Sequence, residues 1–409
     1  MNNKIQRYMK LYPWHSGLTG DLLFYIAIDT LFLTMVKNLS AAEIVSISSF
    51  SQLACIAFQF PILFVIKKIG NTASIRVGSF FLLASAVFIT FSKSYYLILL
   101  GRLFHDVAGI FKEASVVALR NNLDVLDKGG EFVSVRTKAN TVYAVLTMLI
   151  SFVASAMFNF NNYLPMLGCI TTCAIGFGLS WFMKDFSDYN KIERKPKSDV
   201  KVKIQYSKII IIAWILYAFF YSVVTNGQSE GKLFIQQNVM LEFDNETTAL
   251  IIGAIVIISR VVRVVSNVIF VKLYDKYQEK MGVVLPILLC ASFGLLLFGS
   301  FIPQIVAKII VMTFGYIIIL FIRDPYRLYI QDVVFSNTPK EQHQTLLAVF
   351  AFGVKVATAG TGLVYSAILL AYPMVVTIAI MFAIAAVEIV LSMVLYRAIV
   401  LGRAAAKAV

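Results

Sequence analysis

Arg102, Asp106, Gly109 and Glu113 recur within one apolar run at steps of four, three and four, which stacks them on one helix face. A second run carries Asp21, Tyr25 and Asp29 at steps of four. Carboxyls set among apolar residues either pair with a nearby cation or take up and release a proton, because loss of water disfavours the charged form and a guanidinium restores it. Arg102 one turn from Asp106 fits an internal ion pair. Asp29, Asp106 and Glu113, modulated by Arg102, fit proton exchange, and His105 beside Asp106 is a secondary proton handler. His105 and His343 are too isolated for a metal centre, and Cys55, Cys169, Cys173 and Cys290 all lie in apolar runs, so neither a metal site nor a disulfide framework is expected. No glycine-rich phosphate loop occurs, which points away from an enzyme and from any cofactor.

The second half of the chain carries the opposite sign. Arg260 and Arg263 lie one turn apart in the middle of an apolar run, and Lys355 is central in another. Cations at that depth invite an anion, and a guanidinium offers a carboxylate or phosphate a planar, bidentate partner. The alternative is cross-pairing with Asp29, Asp106 or Glu113. Polar stripes follow the same helical period: Ser48, Gln52, Cys55 and Gln59; Asn140, Tyr143, Thr147 and Ser151; Trp214, Tyr217, Tyr221, Thr225 and Gln228. Any one stripe can be interhelical glue. Together they nominate Arg260, Arg263, Lys355, Asn267, Gln59, Gln52, Tyr217, Tyr221, Asn140 and Tyr143 as a hydrogen-bonding binding site.

The elements that must position these residues follow from composition. With 59% hydrophobic and 14% charged residues, the 409-residue chain is an integral membrane protein. Spans of roughly 20 residues with short connectors allow about a dozen crossings. Twelve apolar runs appear, near 19–37, 42–66, 73–92, 95–119, 137–159, 163–183, 208–227, 247–271, 282–302, 304–322, 345–370 and 372–396. Most of the 36 Lys and Arg fall in one alternate set of loops with both termini, Arg323 among them, while the other set holds Lys37, Lys93, Lys232 and Lys308. This asymmetry places both termini in the cytoplasm and residues 1–15 in a cytoplasmic tail. It also accounts for the formal charge of +14 through anionic lipid, without nucleic acid. The expected domains are a six-helix bundle over 1–184, a basic linker over 185–207 and a second six-helix bundle over 208–409. Asn226-Gly227 is expected to break the seventh span as an outer gate.

A shift of 208 positions aligns Gln59 with Asn267, Lys67-Lys68 with Asp275-Lys276, and Asp124 with Asp332, the mark of a half-chain repeat. The segment from Phe64 to Asn71 keeps a basic residue and Gly70 of the loop pattern G-x-L-x-D-R-x-G-R-K. Lys272-Leu273-Tyr274-Asp275-Lys276 keeps its acidic-basic pair, and Gly101-Arg102 with Gly109 resembles a fourth-helix arginine motif. With twelve spans and a central basic loop, the chain resembles a major facilitator superfamily transporter. That resemblance implies an all-α fold of two pseudo-symmetric six-helix bundles and alternating access around a midplane site. It implies gating by Lys67, Lys68, Asp124, Asp275, Lys276 and Asp332, with Asn226 and Gly227 outside, and a peripheral twelfth span carrying Glu388. The leading expectation is a monomeric, proton-coupled transporter of a small anionic or zwitterionic organic solute in the plasma membrane. A proton-driven exporter of lipophilic cations and a lipid or lysolipid flippase are the alternatives.

Overall fold

A computed structural model describes residues 2–128, 131–187, 207–277, 280–338 and 343–407. The elements are α1 (Asn2–Leu18), α2 (Leu23–Leu31) running into a π-helical turn (Phe32–Val36), α3 (Ala41–Phe91), α4 (Tyr95–Val125), α5 (Phe132–Phe160) and α6 (Leu164–Ser180). The second half contributes α7 (Lys208–Met240), α8 (Asn245–Tyr277), α9 (Met281–Gly299), α10 (Ile305–Asn337), α11 (His343–Ala371) and α12 (Met374–Lys407). The centre of every apolar run read from the sequence lies on one of these helices, runs 42–66 and 73–92 sharing α3, and no strand occurs among the described residues. Nine helices among the described residues are long and apolar enough to cross a membrane.

Local chemistry sets the boundaries. Ser40 and Glu43 form a reciprocal cap at the start of α3, Glu43 Oε2 accepting from Ser40 N at 2.8 Å while Ser40 Oγ accepts from Glu43 N at 3.3 Å. Within α3, Gly70 adopts φ 79°, ψ 167°, a conformation closed to side chains with a Cβ, and so divides the element into two helices. Asp244 precedes α8 and its Oδ1 accepts from Thr247 N at 2.9 Å. Bonds from Thr247 hold the Asp244 carboxyl below the usual range. The cap is therefore complete above the ordinary carboxylate range and is lost as pH falls through the depressed value. Asp244→Ala is expected to increase hydrogen exchange in the first turn of α8, and no change there would exclude the cap.

The chain divides into two compact units, residues 1–39 with 50–199, and residues 40–49 with 200–409. In the first, α1 packs on α5 and α6, and α2 on α5. The expected N-terminal tail is instead helix. Ile5, Tyr8, Tyr12 and His15 fall at helical spacing and are all buried, and Tyr8 Oη donates to Ser115 O at 3.3 Å. Residues 1–15 read as a tail because their polar face masks this stripe in the average.

In the second unit α7 packs on α10, α11 and α12, and α9 on α10 and α12. The expected break at Asn226-Gly227 does not form, since α7 is continuous from Lys208 to Met240. Gly227 is there for room: a Cβ would stand 2.6 Å from Phe293 Cζ. Asn226 is satisfied across the helix contact, its Nδ2 donating to Thr361 Oγ1 at 2.9 Å and Thr358 O at 3.2 Å. On α12, Val387, Val390, Val394 and Leu401 are exposed, while Glu388, Ser392, Leu395 and Ile399 are buried. An apolar outside with a polar inside is the pattern of a helix set in lipid.

Candidate functional site

In the first unit the site is created by a break. Residues 19–22 separate α1 from α2, so Asp21 sits in a turn, where a continuous helical stripe with Tyr25 and Asp29 was expected. Backbone groups freed by a break within a membrane need partners. Here Thr19 N donates to His15 O at 2.9 Å, Leu22 N donates to Asp21 Oδ1 at 2.8 Å, and Lys112 Nζ reaches from α4 to Gly20 O at 3.1 Å.

Released from the helix, Asp21 meets His105 of α4, whose Nε2 lies 2.7 Å from Asp21 Oδ1 while its Nδ1 lies 3.1 Å from Asp106 Oδ1. Ser51 Oγ donates to Asp106 Oδ2, and Arg102 Nη2 stands 3.8 Å from Asp106 Oδ1. A neutral imidazole has one donor and one acceptor nitrogen, whereas an ionised carboxylate only accepts. Both ring nitrogens facing carboxylates therefore require one proton more than a neutral histidine and two carboxylates supply. With that proton, the charges of Asp21, Asp106, Arg102 and His105 cancel.

The other proton candidates sit elsewhere. Asp29 Oδ1 accepts from Thr30 N at 2.7 Å, and Glu113 is exposed on α4. Gln52 and Gln59 on α3 and Tyr143 on α5 are half-buried, and Asn140 is exposed. Lys112 Nζ lies 6.0 Å from the centre of the Tyr143 ring.

In the second unit one cation held by hydrogen bonds is a residue that the sequence reading assigned to a loop. Arg323 lies within α10, its Nε donating to Tyr221 Oη at 3.2 Å and its Nη1 to Gln228 Oε1 at 2.9 Å. Both acceptors are neutral, so these bonds orient the guanidinium without cancelling its charge. The Gln228 Nε2 donor is buried and has no partner. Tyr217 packs on Tyr221, Tyr326 and Phe350, with ring centres 5.4, 6.4 and 6.0 Å away. Arg260 is half-buried with its Nε unpartnered, and Lys355 is exposed on α11. The side chains of Arg263, Asn267 and Asp275 lie outside the described residues.

Among the gating residues, Lys67 and Lys68 are exposed, Asp124 pairs with Arg120 at 3.2 Å, and Lys276 lies 5.2 Å from the Tyr277 ring centre. Asp332 Oδ2 accepts from Tyr274 Oη at 2.6 Å.

A stronger node was missed. Asp185, assigned from sequence to the linker, is 2% exposed. Its Oδ2 accepts from Asn71 Nδ2 at 2.6 Å and Asn121 Nδ2 at 2.7 Å, its Oδ1 from Ser187 Oγ at 2.7 Å, and its N donates to Thr72 Oγ1 at 3.0 Å. The only sequence signal was Asn71 following the glycine of the loop pattern. Hydrogen bonds to a charged group contribute about 1.5–3 kcal/mol each, so Asp185→Ala is expected to lower stability by about 3 kcal/mol or more. A melting temperature unchanged in detergent would remove this node from the fold. Residues 188–206 of the linker lie outside the described residues. Among the described residues, no group of three His, Cys, Asp or Glu is disposed to hold a metal ion.

Apolar spanning helices with buried charge networks inside each unit define a multi-pass membrane protein whose polar chemistry faces inward. The sequence profile of the Major Facilitator Superfamily matches residues 18–360, and the chain belongs to that family of transporters. No curated protein matches it. Among solved structures, a point mutant of the nucleoside transporter NupG superposes with TM-score 0.73 at 10% identity, covering 96% of this chain and 99% of that one. NupG itself gives 0.68 at 11%, over 97% and 98%. A bacterial homologue of the iron transporter ferroportin in an inward-facing state gives 0.66 at 12%, over 97% and 98%. At these identities the likeness is one of fold.

Proposed function

We propose that this protein is a proton-coupled secondary transporter of a small organic solute bearing an anionic group, working by alternating access as a monomer in the plasma membrane. Its twelve spans form two six-helix bundles with both termini cytoplasmic. The observation that carries the coupling is His105 held between Asp21 and Asp106, a geometry that binds one proton in a charge-balanced group. Charge set among membrane-spanning helices in this way marks ion pathways in transporters. Glu113, further along α4, and Asp29, on α2, are relay positions.

The anionic character of the solute rests on Arg323 and the Gln228 amide, donors without a carboxylate partner in their bonds. Arg260, Arg263 and Lys355 add positive charge in the same unit. A lipophilic cation would meet like charge there, at a cost of several kcal/mol in low dielectric. Tyr217 and Tyr221 supply a wall for the apolar body of the solute, and Asn267, Gln52, Gln59, Asn140 and Tyr143 supply further hydrogen bonds. Lys67, Lys68, Asp124, Asp275, Lys276 and Asp332 gate the cytoplasmic side.

The test is a thermal-stability screen of the purified protein against carboxylates, phosphates, nucleosides, lipophilic cations and lysolipids at two pH values. A ligand at about 100 times its dissociation constant stabilises the folded state by about 2.7 kcal/mol. Stabilisation by anions supports the reading. Stabilisation by lipophilic cations or lysolipids alone replaces it.

A further inference from the structure

Glu230 on α7 and Glu388 on α12 are each 1% exposed, and neither oxygen of either carboxyl has a hydrogen-bond partner. The Tyr365 hydroxyl of α11, in a side chain also 1% exposed, is likewise unpartnered and feels the charge of both carboxyls. Three mutually packed helices of the second unit thus carry buried, orphaned oxygen groups that act on one another electrostatically, remote in sequence from His105 and with Glu230 two positions beyond Gln228. A carboxylate without a donor is among the costliest groups to bury, and two of them near one hydroxyl compound that cost.

The surroundings supply no hydrogen bond to either carboxyl. Lys232, buried on the same helix, makes no hydrogen bond to Glu230. Gly231 brings α7 onto the Tyr316 ring of α10, a Cβ there standing 3.3 Å from Tyr316 Cδ2. Tyr326 of α10 feels Glu388, and Phe293 and Leu296 of α9 are apolar. Arg260 of α8 and Arg323 of α10 make no hydrogen bond to either acid. What satisfies two orphaned carboxyls and a hydroxyl is hydrogen itself, since a protonated carboxyl becomes a donor as well as an acceptor.

We propose that Glu230, Tyr365 and Glu388 form a second proton-binding site, confined to the C-terminal unit, with Glu230 as the group that gains and loses the proton. The oxygen-only donor set admits one competing occupant, an alkali cation. The proposal does not depend on the solute or on the His105 network, so either can fail without the other.

The test is infrared difference spectroscopy of the wild-type protein in lipid, titrated from about pH 5 to about pH 9, the range over which buried carboxyls are commonly brought to exchange protons. The expected result is a protonated-carboxyl C=O band that falls as pH rises, is absent from Glu230→Gln, moves in Glu230→Asp and persists in His105→Gln. Tyr365→Phe should shift the band without abolishing it. The proposal is overturned if no band depends on Glu230, if the band is constant with pH, or if adding sodium or potassium at fixed pH removes it, which would assign the site to a cation. If Glu230→Gln does not fold, the band position in Glu230→Asp decides the matter: an unmoved band overturns the assignment to Glu230.

Discussion

His105→Gln is expected to abolish pH-driven accumulation of the solute while leaving exchange of solute across the membrane intact. Coupling one proton to one solute supports about tenfold accumulation per unit of pH gradient, because each unit is worth about 1.36 kcal/mol. The substituted amide would hydrogen-bond one carboxylate but has no proton to release, so the ratio should fall to about one. Counterflow in proteoliposomes needs no proton cycle and should survive. Asp21→Asn and Asp106→Asn remove the two carboxylates that hold the imidazolium, and each should lose coupling in the same way, with Asp106→Asn also releasing Arg102 and Ser51. Retained accumulation in His105→Gln would show that the proton is carried elsewhere, Asp29 and Glu113 being next in line.

The second large effect falls on Arg323. Truncating one partner of a buried, hydrogen-bonded charge pair costs about 2–5 kcal/mol, so Arg323→Ala should weaken binding of an anionic ligand from about 30-fold to several thousandfold. Arg323→Lys keeps the charge but gives up the planar fork that reaches Tyr221 and Gln228 together, and should recover only part of the loss. Gln228→Leu, which removes the unpartnered amide donor, is expected to act in the same direction with smaller effect. The measurement is the ligand-induced rise in melting temperature found in the screen. Equal stabilisation of wild type and Arg323→Ala would leave Arg260 and Lys355 as the anion contacts and Arg323 as a helix-packing residue.

The apolar runs and the Arg102–Asp106 pair were legible because each depends on spacing along one helix. His105 was legible only as a neighbour of Asp106, since its second partner, Asp21, is 84 positions away and becomes reachable only where α1 and α2 part. Glycines mark that break in the sequence, but the donors that make it tolerable, such as Lys112, come from another helix. Arg323 was counted with the loops because hydropathy ends its run at 322, whereas α10 continues to Asn337 with the guanidinium anchored from α7. Gly227 misled in the opposite sense: a residue that permits a break also permits close packing, and only the position of Phe293 tells which. Glu230 was overlooked because the polar stripe of α7 was followed through Gln228 and stopped there.

The charge balance around His105 has an electrical side. A group whose four charges cancel crosses the membrane field without work, while the same group stripped of its proton carries one net negative charge, worth about 2.3 kcal/mol per 100 mV if moved through the whole field. Membrane voltage would then act on this group only while it lacks its proton, the charges of Arg323 and the anionic solute being counted apart. Current recordings on reconstituted protein would accordingly show voltage governing the return step, and the pH gradient governing the loaded one.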